Sequence, residues 1–255
     1  MELILVFYLF VFLFGLAAGS FLNCLIYRLE KNESFLKGRS YCPHCHHTLT
    51  WKDLIPILSF LILRGKCRYC HQKISWQYPI VEIATGILFV SIFNFRSLLT
   101  TIYLLLTTCF LIVIFVYDLR HYIIPDKVIY PAIGMVFLYR LFEIENFLLL
   151  NVILSALLAF IFFLAIFLLS RGRWLGFGDV KLAAFMGLFL GFPNILVALF
   201  FAYLIGAIIG IGLVFARKKT LKSEVPFGPF LVIGTFIALF WGEKIIDCYL
   251  KSFLL

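Results

Sequence analysis

Residues 147–169 read FLLLNVILSALLAFIFFLAIFLL, without one charged side chain. A helix needs about 20 mostly apolar residues to cross the hydrocarbon layer of a bilayer, so this run predicts a membrane span. Working outward, seven further apolar stretches stand near residues 3–25, 79–95, 99–117, 127–142, 179–192, 195–215 and 227–241. Lipid offers no hydrogen bonds, so such stretches satisfy their backbone internally and read as helices. The chain is therefore expected to be an all-α polytopic membrane protein with about eight transmembrane helices and a small polar insertion between the first and second, whose side and ligand follow from its charges and cysteines. Stretches 127–142, 179–192 and 227–241 are short and read as tilted, broken or partly interfacial.

Composition agrees, with 64% hydrophobic residues, 14% charged residues and a mean hydropathy of +1.07, values that exclude a soluble domain. The run Ala17-Ala18-Gly19-Ser20 looks like a signal-cleavage site. Signal peptides place positive charge before the apolar run, whereas here Glu2 is the only early charge and basic residues begin at Arg28, which predicts a retained helix. Segment 28–78 holds nine of the 22 Lys and Arg. Alternating eight helices leaves only Arg96, Arg140, Lys244 and Lys251 on the opposite side. The positive-inside rule then makes the basic side cytoplasmic and turns both termini outward. The net charge of +9 is spread over several loops, so it reads as a topology signal and no nucleic-acid partner is expected.

The loop 28–78 carries Cys42-Pro43-His44-Cys45 and Cys67-Arg68-Tyr69-Cys70. In a reducing compartment paired C-x-x-C knuckles read as metal ligands in preference to disulfides. The 21 residues between them suit a tetrahedral four-thiolate site, which favours Zn2+ over iron or an empty thiol cluster. Four thiolates close the coordination shell, so the metal is expected to be structural and to stabilise a segment too small for its own core. His44, His46, His47 and His71 are reserve ligands, and Cys24, Cys109 and Cys248 read as small apolar packing residues. The run Leu54 to Leu63, interrupted by Pro56, is too short to span; it packs on the module or lies at the membrane surface.

Two acids stand where apolar sequence tolerates them poorly: Asp118 closes the third stretch and Asp179 opens the sixth, both toward the cytoplasmic side. Asp179, Ala183, Gly187 and Gly191 recur every four residues, a stripe of small residues that lets helices approach closely in lipid. Asp179 is thus expected to face the bundle, with Lys181 turned away and snorkelling to the interface. Gly176 and Gly178 read either as a plain loop or as pliable backbone that lets an extended peptide approach. Two carboxylates side by side share one proton and so present an acid and a base together. A purely structural hydrogen-bonded pair, or two unrelated helix caps, would leave the same residues in the sequence.

With these motifs in order, the chain resembles the type IV prepilin peptidases, or prepilin leader peptidase/N-methyltransferases, GxGD-type membrane aspartyl proteases. The resemblance covers nearly the whole chain and includes Gly19-Ser20-Phe21-Leu22-Asn23, both cysteine knuckles, residues 74–82, Asp118 through Pro125-Asp126, and Gly176-Phe177-Gly178-Asp179-Val180-Lys181. It implies that Asp118 and Asp179 are catalytic, with Gly176, Gly178 and Lys181 in the active-site loop; Asp126, at a helix start, reads as structural. It implies type IV prepilin and pseudopilin substrates, cut after a glycine on the cytoplasmic side of the bacterial inner membrane. The new N-terminus would then be methylated from S-adenosylmethionine. Asn23, Arg28 and Glu82 are weak candidates for the methyl-donor site, since Gly15, Gly19 and Asn23 could equally form a helix-packing seam. The domains implied are a first helix (1–27), the cysteine module (28–78) and the peptidase bundle (79–255). Rival readings are a peptidase without methyltransferase activity, a proton-coupled transporter and a non-catalytic zinc-containing assembly factor. No internal repeat speaks for the transporter.

Overall fold

The computed structural model describes residues 2–34, 38–93, 97–143, 146–216 and 225–253, so Arg96 of the charge count lies outside the described residues. The described chain is helical: α1 (Glu2–Lys31), α2 (Leu58–Ile62), α3 (Gln77–Ile92), α4 (Leu98–His121), α5 (Asp126–Glu143), α6 (Asn146–Leu169), α7 (Phe177–Leu190), α8 (Asn194–Phe215) and α9 (Gly228–Phe253), with a 3-10 turn at Trp51–Asp53. Among the described residues five helices are long and apolar enough to cross a membrane: Ile4–Lys31, Leu98–His121, Leu148–Leu169, Asn194–Phe215 and Gly228–Ser252. Each of the eight apolar stretches is a helix, and several ends move. The last runs to Phe253, well past the expected 241, because its C-terminal part alternates charge with apolar residues and escapes a hydropathy window. α1 continues to Lys31, carrying Arg28 and Lys31 in its last turn, where cations favour the helix dipole.

The chain divides into two compact units, Met1–Val113 and Ile114–Leu255, with the boundary inside α4. In the first unit α1 packs on α3 through small residues. A Cβ at Gly15 would sit 2.7 Å from Gly86 Cα, and one at Gly19 would sit 2.7 Å from Glu82 Cα. Such contacts need glycine because the backbones themselves touch. Gly15 and Gly19 therefore form a packing seam with α3.

In the second unit α7 is the element against which α5, α6, α8 and α9 all pack. Its small-residue stripe lies on α6: Ala183 is fully buried, and a Cβ on Gly187 would fall on the Ala156 backbone, 2.6 Å from its N. Gly187→Ala is accordingly expected to destabilise by about 1–3 kcal/mol, the usual cost of overpacking. At Gly210, where a Cβ would meet nothing within 4 Å, the same change is expected to stabilise by up to about 1 kcal/mol through helix propensity. Thermal unfolding of the two variants in one detergent checks the contrast.

Candidate active site and metal centre

The two cysteine knuckles form one cluster in the first unit, with all four Sγ atoms of Cys42, Cys45, Cys67 and Cys70 within 4.8 Å of one another. Cys42 Sγ and Cys70 Sγ are 3.9 Å apart. A tetrahedral zinc with Zn–S bonds of about 2.3 Å needs sulfurs about 3.8 Å apart, so the donor set fits that ion. Each knuckle is the same small hairpin. Cys42 N–H donates to His47 O and Cys67 N–H to Gln72 O; Leu49 N–H donates to Ser40 O and Ile74 N–H to Gly65 O. Isolated bridges Tyr41–Thr48 and Lys66–Lys73 flank them, and His46 and His71 both take φ +57°. SYCPHCHHTLTW (40–51) and GKCRYCHQKISW (65–76) are thus two copies of one unit. The copies share few side chains beyond the ligands, and hairpin hydrogen bonds carry their likeness.

Beside the knuckles, Asp53 accepts from the Arg68 guanidinium at 2.7 Å and from Thr50 Oγ1 at 2.7 Å. Desolvation opposes its charge, but those hydrogen bonds hold its carboxyl down to about 2. A depressed carboxyl stabilises above its unfolded pKa of about 3.9, and that contribution is lost as pH falls through about 2.

The other three candidates of the first unit are engaged by their own chain. Asn23 Nδ2 donates to Tyr78 O at 3.1 Å, and Asn23 Oδ1 accepts from Gln77 Nε2 at 3.2 Å. Glu82 is buried in α3 and accepts the Ile57 N–H at 2.8 Å, while Arg28 donates to Ser34 O at 3.1 Å. Ile57 stands at φ +60° at the centre of a tight turn closed by the Leu58 N–H on Pro56 O, and its own N–H is taken up by the Glu82 carboxylate. Asn23 and Glu82 line one end of the α1–α3 seam with these bonds made.

In the second unit α4, α7 and α9 bring Asp118 and Asp179 together. Asp118 does not close its helix as expected. α4 runs on to His121, and Asp118, 4% exposed, is buried inside its last turns. Asp179, 8% exposed, is the third residue of α7, and its Oδ2 accepts the Gly176 N–H at 3.2 Å. The two acids share one junction: the Gly228 position lies against both Asp118 and Ile124, and Gly178, next to Asp179, lies against Ile124 as well. Among the described residues Asp118 Oδ2 has no hydrogen-bond partner, and the Gly228 backbone at the start of α9 faces the same carboxylate.

Glycine permits close packing at two points of this junction. A Cβ on Gly228 would stand 2.5 Å from Asp118 Oδ2, and one on Gly178 would stand 3.0 Å from Ile124 Cβ. Ile124, in the turn between α4 and α5, also lies 3.4 Å from the Gly228 position. Gly176 has open surroundings, its nearest neighbour being Asp179 Oδ2 at 3.6 Å. Tyr203 of α8 is a further neighbour of Asp179 and packs on Phe227, ring centroids 5.1 Å apart.

Lys181 does not snorkel alone. Its Nζ pairs with Asp126 Oδ1 at 2.5 Å and lies 4.9 Å from the Tyr130 ring centroid. It points away from Asp179 because its carboxylate partner is on α5. Sequence reasoning missed Gly228, Tyr203 and Ile124. Only Gly228 carried a signal, a glycine between Pro226 and Pro229 at the start of an apolar run.

Two family models match the chain: the bacterial peptidase A24 N-terminal domain over residues 13–95 and the type IV leader peptidase family over residues 105–211. Among similar proteins are three named prepilin leader peptidase/N-methyltransferase. The one from Aeromonas hydrophila is 33% identical, covering 96% of this chain and 94% of its own. That from Legionella pneumophila is 34% identical, covering 95% and 94%. That from Bacillus subtilis (strain 168) is 34% identical, covering 94% and 97%. No solved structure matches the chain. The chain belongs to the type IV leader peptidase family.

Proposed function

We propose, with family membership as the premise, that the chain is a membrane aspartyl endopeptidase that removes the leader of type IV prepilins and pseudopilins after a glycine. The observation that carries this reading is the juxtaposition of two buried carboxylates, Asp118 and Asp179, at the meeting of three helix ends, one with an oxygen unpartnered. Two such groups hold one proton between them. The ionised carboxylate takes a proton from water as it attacks the scissile carbonyl, while the protonated one donates to the carbonyl oxygen; no covalent intermediate forms. Gly176, with open surroundings at the mouth of α7, leaves room for the substrate backbone; Gly178 lets α7 pack on Ile124, and Lys181 braces α7 on α5 through Asp126.

The domain reading that accompanies it is a first helix (1–27), a cysteine module (28–78) that holds one structural Zn2+ on Cys42, Cys45, Cys67 and Cys70, and a peptidase bundle (79–255) in the bacterial inner membrane. Its basic loops face the cytoplasm. The relatives' names extend the proposal to N-methylation of the new N-terminus from S-adenosylmethionine.

The test is incubation of the purified protein, in lipid, with a prepilin and S-adenosylmethionine, and mass spectrometry of the product N-terminus. Cleavage after the leader glycine with a methyl group added is the expected result. Cleavage alone makes the chain a peptidase only, and an intact prepilin beside folded enzyme defeats the proposal. Glu82→Gln and Asn23→Ala, if they spare methylation, remove those residues from the donor site.

A further inference from the structure

The metal module carries an apolar face that none of the functions above uses. In α2, Leu58, Leu61 and Ile62 stand at positions i, i+3 and i+4 and are 56%, 62% and 74% exposed, forming one outward stripe. The inward residue Phe60 is buried beneath Gly65 and against Trp76, ring centroids 5.0 Å apart. Trp51 and Trp76, the matching last residues of the two knuckle copies, are 71% and 69% exposed. Soluble surfaces do not leave five large apolar side chains exposed in so short a segment without a partner.

Two observations select the partner. The first is depth. Ile57, the residue that opens α2, is hydrogen-bonded to Glu82, the sixth residue of α3. At 1.5 Å per residue Glu82 lies about 7 Å along that apolar helix from its first residue, so α2 starts level with the first turns of α3 and does not stand off in water. Interfacial helices sit about 5–10 Å into the boundary between headgroups and acyl chains. The second is charge. Lys52, Arg64, Lys66 and Lys73 are exposed in the same module, Lys52 over the Trp51 ring, and Asp53 is occupied by Arg68. Tryptophan with a basic rim is the composition of a membrane interface that attracts anionic headgroups.

We propose that α2, with Trp51 and Trp76, is an interfacial anchor that seats the metal module on an anionic lipid surface. The full chain carrying Trp174→Phe and Trp241→Phe reports on Trp51 and Trp76 alone, since the protein has four tryptophans. It is reconstituted in phosphatidylcholine vesicles with and without phosphatidylglycerol, using lipids brominated near the headgroup, and probed with iodide from the water side. The expected result is quenching by bromolipid, shielding from iodide, and an increase of both with phosphatidylglycerol. Leu61→Asn with Ile62→Asn should reverse the pattern while metal content stays unchanged. Lys52→Gln with Arg64→Gln should remove only the phosphatidylglycerol dependence, which keeps the test decisive if the first pair fails to fold. Tryptophans open to iodide and silent to bromolipid overturn the anchor. Shielding without bromolipid quenching assigns the face to a protein contact, such as a second copy, and overturns it too. Equal quenching with and without phosphatidylglycerol overturns the anionic preference.

Discussion

Asp118→Asn and Asp179→Asn are each expected to lower prepilin cleavage by at least about 10²–10⁴-fold, the range typical of a lost general acid or base. The substitution is isosteric, and both side chains are buried, so shape is kept while the shared proton is lost. In the Asp179→Asn variant the new amide oxygen can still accept the Gly176 N–H, which isolates chemistry from helix capping. Cleavage rates measured beside thermal unfolding separate the two effects. A variant that melts normally yet does not cut supports the dyad, whereas one that cuts at the native rate ends it. Gly228→Ala should give an intermediate loss, because its Cβ would come 2.5 Å from Asp118 Oδ2 and must displace the carboxylate. Asp126→Asn is the contrasting control: it breaks a pair with Lys181 that is exposed on the aspartate side. Such pairs contribute about 0–1 kcal/mol, so cleavage should survive.

The second large effect concerns the metal. Cys42→Ser and Cys67→Ser remove buried thiolates from a four-donor cluster. Zinc binding to small modules is worth about 10–16 kcal/mol at neutral pH, and here it has little core to add to. Loss of bound zinc is expected in both variants by elemental analysis, with proteolysis opening within 38–76 while the membrane helices stay intact. Exhaustive chelation of the wild-type protein should do the same. Cleavage should fall only in step with stability, since four thiolates leave no open coordination position for a reacting water. Full zinc content in either serine variant would show that the ligand set is wrong.

These two experiments probe features of different legibility. The cysteines could be read from the chain because C-x-x-C fixes two donors within one tight turn, so local spacing already implies the geometry. The likeness between the two knuckles was harder to see, as it resides in backbone bonds from Leu49 to Ser40 and from Ile74 to Gly65. Asp118 and Asp179 are legible as oddities, acids in apolar surroundings, which singles them out one at a time. Their meeting depends on α7 packing against α9 and on the turn at Ile124, relations between segments far apart in the chain. Tyr203 had no signal at all, being one aromatic among many apolar residues of α8.

Hydropathy by itself determined the helices, because a chain in lipid must bond its backbone within each segment and needs a set length of apolar residues to do so. Their pairing was decided only in the tertiary structure, since apolar side chains gain nothing in lipid from one neighbour over another and close backbone contact makes the choice. Gly187 on Ala156 and Gly19 on Glu82 are such choices, as is Gly228 beside Asp118. The same packing left Lys181 opposite Asp126 and Glu82 opposite the Ile57 N–H, partners that no periodicity within a single helix specifies.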